Sequence, residues 1–368
     1  VPILEKSFSR RRSRGVGDFL AVLLLLIVVG GMTWLWWRSK SPGQSVKHKH
    51  TSAIAIAVAT RAPSAVKPKP KPLIVAVQVP ADFPRPVRDV FEAQVALGRR
   101  AISPGSLDAA IGSQTRAAIL AFQRTQKTGE TATLDTNTRP RLTLDGPLLT
   151  NYPVTTNDLS RLQPLGKTWL AKSQQTALDY ETLLELVAEK AHAYPLLIEK
   201  LNPEVCWTNV PAGTLLKIPD VTYPEPAEQA AFVIIHLSEK FLEAFGATTN
   251  LLLHCPCSIA AHVEKRPVGE LHVAVVAPHP NYTFDPAVFP ESLEAQAIGH
   301  KLILPPGPNN PVGVAWIGLD KPGYGMHGTP APEQVGRTES HGCFRLANWD
   351  AEYMVKLVWV GMPVEVLP

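Results

Sequence analysis

Tyr324-Gly325-Met326-His327-Gly328-Thr329, followed by Ser340-His341-Gly342-Cys343-Phe344-Arg345, gathers one thiol, two imidazoles and a run of small residues. A free thiol is a weak nucleophile near neutral pH, because an ordinary pKa of about 8.5 leaves only a few per cent as thiolate. An imidazole within hydrogen-bond reach, as base or ion-pair partner, raises that fraction. His327 stands sixteen positions before Cys343 and His341 two before it. Residues two apart on an extended chain point to the same side, so spacing alone leaves either histidine as the base. Gly342 uncovers the backbone beside the sulfur, and the amides of Gly342 and Cys343 are candidates to donate to an oxyanion. Arg345 offers a planar fork for a carboxylate. A lone cysteine reads as a small buried hydrophobe; the joint pattern does not. A zinc site from His327, His341 and Cys343 is the rival chemistry, but no second Cys or His flanks Cys343 at the usual short spacing.

These residues resemble the catalytic motif of the L,D-transpeptidases (the YkuD-type domain). The match runs through His327-Gly328, Ser340-His341-Gly342-Cys343, Phe344 and Arg345, with Pro305-Pro306-Gly307, Asn310-Pro311-Val312-Gly313, Asn348 and Asp350 in agreement around it. The resemblance spans 230–368. It implies Cys343 as nucleophile, His327 as general base, the Gly328 carbonyl as orienter of that base, His341 in support and the Gly342 amide at the oxyanion. It also implies a substrate pocket drawing on Arg345, Ser340, Tyr324, Met326 and Trp316. The implied reaction is attack on a peptidoglycan tetrapeptide stem, loss of D-alanine, and transfer of the acyl group to an amine, giving a 3–3 cross-link or protein attachment in cell-wall biogenesis. No metal or organic cofactor is expected. The alternatives are a carboxypeptidase or hydrolase of the same chemistry, or a non-catalytic wall anchor.

Charge and hydropathy fit an exported wall enzyme. Through Lys71 there are 13 Lys and Arg against two acids, a balance of +11, whereas the remainder carries 23 basic and 30 acidic residues, −7. The basic excess thus belongs to the N-terminal end, which argues against nucleic acid as a partner of the folded part. Residues 19–37, FLAVLLLLIVVGGMTWLWW, are apolar throughout. At about 1.5 Å per residue they span roughly 28 Å, close to a bilayer's hydrocarbon thickness. Arg10, Arg11, Arg12 and Arg14 precede the run, and Trp34, Trp36 and Trp37 close it. These features predict a single transmembrane anchor behind a basic cytoplasmic tail (1–18), with the bulk of the chain extracytoplasmic at a bacterial inner membrane. A cleaved signal peptide is the alternative. Residues 38–85, with Lys67-Pro68-Lys69-Pro70-Lys71-Pro72, read as a stiff linker.

Two modules are expected between linker and catalytic domain. Residues 86–145 carry helical periodicity at Val90, Phe91, Gln94 and Leu97, turns at Leu107-Asp108 and Leu134-Asp135, and a Phe122-Gln123 pair. They resemble a peptidoglycan-binding helical domain. Residues 165–222, with Leu-Asn-Pro at 201–203 and a closing Leu216-Lys217-Ile218-Pro219, resemble an α+β LysM unit, although its opening strand is not evident and 169–179 occupies that place. From residue 230 the period becomes strand-like, predicting a mainly-β sandwich with one helix near 349–358. That helix is expected to be capped by Asn348, with Asp350 favouring its positive end. The expected partners are peptidoglycan stems, glycan and the membrane. Cys206, Cys255 and Cys257 leave pairing open between one disulfide and free thiols.

Overall fold

A computed structural model describes residues 82–368 apart from Glu339 and His341. The basic tail, the apolar segment 19–37 and nearly all of the linker lie outside the described residues. Among the described residues no helix is long and apolar enough to cross a membrane.

The N-terminal helices form for local reasons. Helix α1, Val90–Gly98, starts at Asp89, whose side chain accepts the Glu92 N–H; Glu92 is gripped by both Nη atoms of Arg85 at 2.7 and 2.6 Å. Helix α2, Ser113–Thr125, buries Ala118, Ile119, Ala121 and Phe122 against it. Two buried glutamines then organise the turns. Gln94 Nε2 donates to Asp108 Oδ1 at 2.8 Å while its Oε1 accepts the Ala109 amide at 2.9 Å. Gln123 Nε2 donates to Thr138 Oγ1 at 2.8 Å while its Oε1 accepts the Thr131 amide at 2.9 Å. Each glutamine satisfies a loop that no regular structure could, which is how buried polar groups persist.

Strand β1, Arg85–Pro86, pairs antiparallel with β2, Thr143–Leu144, and a second pair joins a strand upstream of residue 165 to one within 165–222. Strand β3, Leu149–Pro153, pairs antiparallel with β4, Leu215–Pro219, in register Leu149↔Pro219 to Pro153↔Leu215. Two of the helices between them start on capping boxes, Thr155 with Asp158 and Thr182 with Glu185. Asn202 bridges the last helix, Pro195–Leu201, to β4 by donating to Ile198 O and Lys217 O and accepting from Lys217 N. The two segments expected as separate modules share one hydrophobic core, running from Val87 through Phe122 and Leu186 to Ile218.

The C-terminal part is mainly β, with one hydrogen-bonded sheet of eight strands in place of two stacked sheets. These are β5 Phe232–His236, β6 Phe241–Phe245, β7 Leu251–Pro256, β8 Gly269–Pro278, β11 Ala315–Leu319, β12 Gly325–His327, β13 Phe344–Arg345 and β14 Pro363–Leu367. Their order is β13-β12-β11-β8-β14-β5-β6-β7. Strand β14 pairs parallel with β5 and antiparallel with β8. A short pair, β9 Tyr282–Phe284 with β10 Leu302–Leu304, makes a flap with helix Leu293–Ile298. The long helix Asn348–Leu357 lays Ala351, Met354 and Leu357 into the sheet's core.

One expectation for that helix is corrected. Its N-cap is Ala347, and Asn348 is already helical, which frees its amide for other loops. Asp350 sits in the first turn as expected, and it is fully buried there. Tyr223 OH donates to its Oδ1 at 2.7 Å and Ser103 Oγ to its Oδ2 at 3.1 Å, so it joins the N-terminal part to the sheet. Burial pushes this carboxyl up to about 7. Beside it the half-buried His192 ring stacks on Trp349, with centroids 5.0 Å apart, and loss of solvent around it holds His192 neutral, down to about 3. Cys255 and Cys257 are buried free thiols, and Cys206 is an exposed one. Burial raises Cys257 to about 12 and Cys255 well above the usual thiol range, which makes both poor nucleophiles.

Candidate active site

Parallel pairing of β12 with β13 sets the two halves of the motif side by side, in register Met326↔Phe344 and His327↔Arg345. Met326 and Phe344 are 0% and 1% exposed and belong to the core. Strand side chains alternate, so His327 takes the opposite face from Met326, and Cys343 and Arg345 the opposite face from Phe344. His327, Ser340, Gly342, Cys343 and Arg345 line a single cleft of about 480 Å³. The same alternation corrects one expectation, for Met326 is core and not pocket. Tyr324 is not among the residues lining this cleft; its Cε1 lies 3.9 Å from where a side chain on Gly342 would begin. Trp316 lines the cleft and stacks on His327, with ring centroids 5.7 Å apart at 26°. His341 lies outside the described residues.

The imidazole is fixed by its neighbour. His327 Nδ1 lies 2.6 Å from the Gly328 carbonyl oxygen. A carbonyl only accepts, so Nδ1 carries the proton and Nε2 is left with the lone pair. Burial lowers His327 to about 4 and the Gly328 bond only partly offsets this, so the ring is neutral at physiological pH. Gly328 is held in turn by Asn348, whose Oδ1 accepts from Thr329 N at 3.1 Å and Val314 N at 3.3 Å. Asn348 Nδ2 donates to Glu189 Oε2 at 2.9 Å. The loops approach Asn348 so closely that a Cβ on Gly328 would sit 2.3 Å from its Oδ1, and one on Gly313 2.1 Å.

Cys343 is half-buried, and its Sγ donates to Gly323 O at 3.4 Å. Burial pushes the thiol up to about 11. A thiol at about 11 and an imidazole at about 4 make the neutral pair the ground state at neutral pH. The Gly342 N–H is engaged by Ser340 Oγ at 3.2 Å, and Ser340 Oγ also donates to Cys343 O at 2.5 Å. This turn holds the cysteine's backbone and occupies the amide that the sequence reading assigned to the oxyanion. Arg345 Nη2 donates to Thr338 Oγ1 at 3.1 Å, and its backbone pairs with Ser258. Among the described residues no cluster of three or more His, Cys, Asp or Glu is grouped as a metal site requires.

Sequence reasoning missed the outer wall of the cleft: Trp169, Tyr282, Val288, Phe289, Pro311 and Val312. Pro311 and Val312 stood among the quoted neighbours of the motif without a role. Trp169 and the flap residues carried no local signal.

Residues 230–366 match the family model for the L,D-transpeptidase catalytic domain, YkuD, and this part of the chain is a YkuD-type L,D-transpeptidase catalytic domain. Among curated proteins, the chain is 38% identical to the putative L,D-transpeptidase YkuD of Bacillus licheniformis over 63 residues, 17% of this chain and 38% of that protein. It is 28% identical to the probable L,D-transpeptidase YbiS of Escherichia coli K12 over 178 residues, 45% of this chain and 53% of that protein. The chain therefore spans about half or less of the length of these relatives. Among solved structures, L,D-transpeptidase 3 from Mycobacterium tuberculosis, in complex with a faropenem-derived adduct, aligns at 16% identity and a TM-score of 0.29, covering 44% of this chain and 76% of that one.

Proposed function

We propose that this protein is a peptidoglycan L,D-transpeptidase in which Cys343 carries the acyl group. The observation that supports it most is the β12–β13 register, with His327 and Cys343 on one cleft and His327 Nδ1 bonded to Gly328 O. In the proposed first step Sγ forms a thioester with the carbonyl of the third stem residue, and the bond to the terminal D-alanine breaks. The thiol proton passes to His327 Nε2 and then to the leaving amine. An acceptor amine next attacks the thioester, gives its proton back through the imidazole, and releases the thiol. The Cys343 N–H serves the oxyanion, and the Gly342 N–H joins it by leaving Ser340 Oγ. Arg345 meets a carboxylate of the stem.

The apolar segment 19–37 supports a membrane anchor that holds this domain on the wall side, and the linker and N-terminal helices support a role in reaching glycan. Incubating purified protein with tetrapeptide stems and weighing both protein and products tests the reading. A Cys343-linked acyl mass and cross-linked dimers are expected, both absent in Cys343→Ala. Shortened stems alone would instead mark a hydrolase, and unchanged stems a non-catalytic anchor.

A further inference from the structure

Trp169 lies outside the segment that matches the catalytic domain, yet it lines the cleft that holds Cys343. It opens the short helix Trp169–Ser173, behind Thr168, whose side chain accepts the Ala171 N–H. One face of the indole stacks on Phe284, with centroids 4.5 Å apart at 16°, and the ring also meets Phe289 at 5.9 Å and Tyr282 at 6.2 Å. The Trp169 backbone N–H donates to the Glu294 carboxylate. The stretch that follows is fastened as well: Leu178 N donates to Pro306 O and Asn309 N to Leu178 O, each at 2.9 Å. Gly307, at φ +147°, has no room for a side chain, since a Cβ would lie 2.1 Å from Leu178 O. Leu165, Trp169 and Leu178 thereby share one small core with Phe284, Leu302 and Leu304 of the flap.

The stacked ring is only half-buried, and aromatic planes that remain partly open in a cleft are suited to lie along an extended ligand. The cleft's chemistry divides accordingly, with His327, Ser340, Cys343 and Arg345 supplying polar groups and Trp169, Tyr282 and Phe289 an apolar wall. We propose that Trp169 is a substrate-positioning residue, its indole bearing on the peptide chain of the acyl donor away from the reacting carbonyl. This rests on the transpeptidase reading above. It follows that the domain bounded by 230–366 has an incomplete site, and that the segment before it takes part in choosing the donor.

The test uses the full chain, with Cys343 acylation by a tetrapeptide stem followed by intact mass, alongside alkylation by iodoacetamide, which is too small to lie on the wall. Trp169→Ala is expected to raise KM for the stem about 10-fold with kcat within about threefold, the signature of lost uniform binding. Trp169→Phe is expected to restore most of the loss, and iodoacetamide to react as with the wild type. Leu170→Ala, next to it and 46% exposed, is the control expected to change nothing. An unchanged KM in Trp169→Ala overturns the proposal, as do equal losses with stem and iodoacetamide, which would make Trp169 a packing residue only. If Trp169→Ala fails to fold, Trp169→Leu decides, and a KM equal to that of Trp169→Phe overturns the proposal. A wild type that takes no acyl group from the stem overturns the transpeptidase reading itself, and this proposal with it.

Discussion

Asn348 Oδ1 accepts the backbone N–H of Thr329 at 3.1 Å, one residue beyond the carbonyl that takes the His327 Nδ1 proton. The asparagine thus fixes the loop that holds the His327 imidazole, and it does not line the cleft. Replacing it with alanine orphans the amides of Thr329 and Val314, at a cost of about 1–3 kcal/mol for each buried group left unpaired. It also frees Gly328 to shift, and a small misplacement of a catalytic group can cost about 10²-fold in rate. Asn348→Ala is expected to unfold at lower urea concentration and to turn over about 10²-fold more slowly. Wild-type turnover in a folded variant would show that the loop holds itself.

The neutral thiol–imidazole pair sets the pH profile. Because burial lowers His327 to about 4, the imidazole is neutral above that value, free to act as the proposed base, and protonated below it. Acylation by the stem is expected to rise through pH 4 and stay level across neutrality. Alkylation by iodoacetamide reports free thiolate and is expected to keep rising towards the Cys343 value of about 11. A stem profile that begins to rise only near pH 6.5 would place the base in open solvent.

Spacing left two histidines as candidates, and the bond to Gly328 O favours one. His327→Ala is expected to lower acylation about 10²–10⁴-fold, the usual worth of a positioned base. His341→Ala is expected to cost less. Single-turnover acylation of the two variants checks this, and a reversed order would give His341 the proton.

Asp350 makes stability depend on pH in a direction opposite to most carboxylates. Its folded value, about 7, lies above the ordinary value of 3.8, so folding binds a proton between the two. The stability it contributes is fully present below 3.8 and is lost as pH rises through 7. Asp350→Asn keeps the shape without the charge. It is expected to narrow the gap in melting temperature between pH 6 and about 9, and an unchanged gap would assign the dependence elsewhere. His192, held down to about 3, acts at the other end, where its contribution is lost as pH falls below about 6.5.

The contrast among these residues explains what could be read from sequence. The histidine–cysteine motif was legible because its chemistry sits in two short runs, and the helix Asn348–Leu357 because its apolar spacing is local. Met326 was misjudged because the facing of a three-residue strand depends on the register with Phe344, a partner far along the chain. Asp350 and Asn348 were legible as residues of the helix start, but position alone cannot reveal Tyr223, Ser103, Thr329 or Glu189 as their partners. Trp169 reaches the cleft through packing on Phe284, and no periodicity encodes that meeting. Strand Leu149–Pro153 had a usable sign, the Thr155–Asp158 capping box just after it.

Strand β14 lies between β8 and β5, with four strands ending at β13 on one side and three ending at β7 on the other. Every residue of the candidate catalytic pair belongs to the four-strand side, while the strand contacted by the N-terminal part through His254 belongs to the three-strand side. The five residues of β14 are therefore a zip fastener between reaction and support. Losing them would separate two half-sheets, each with a raw margin open to unwanted pairing.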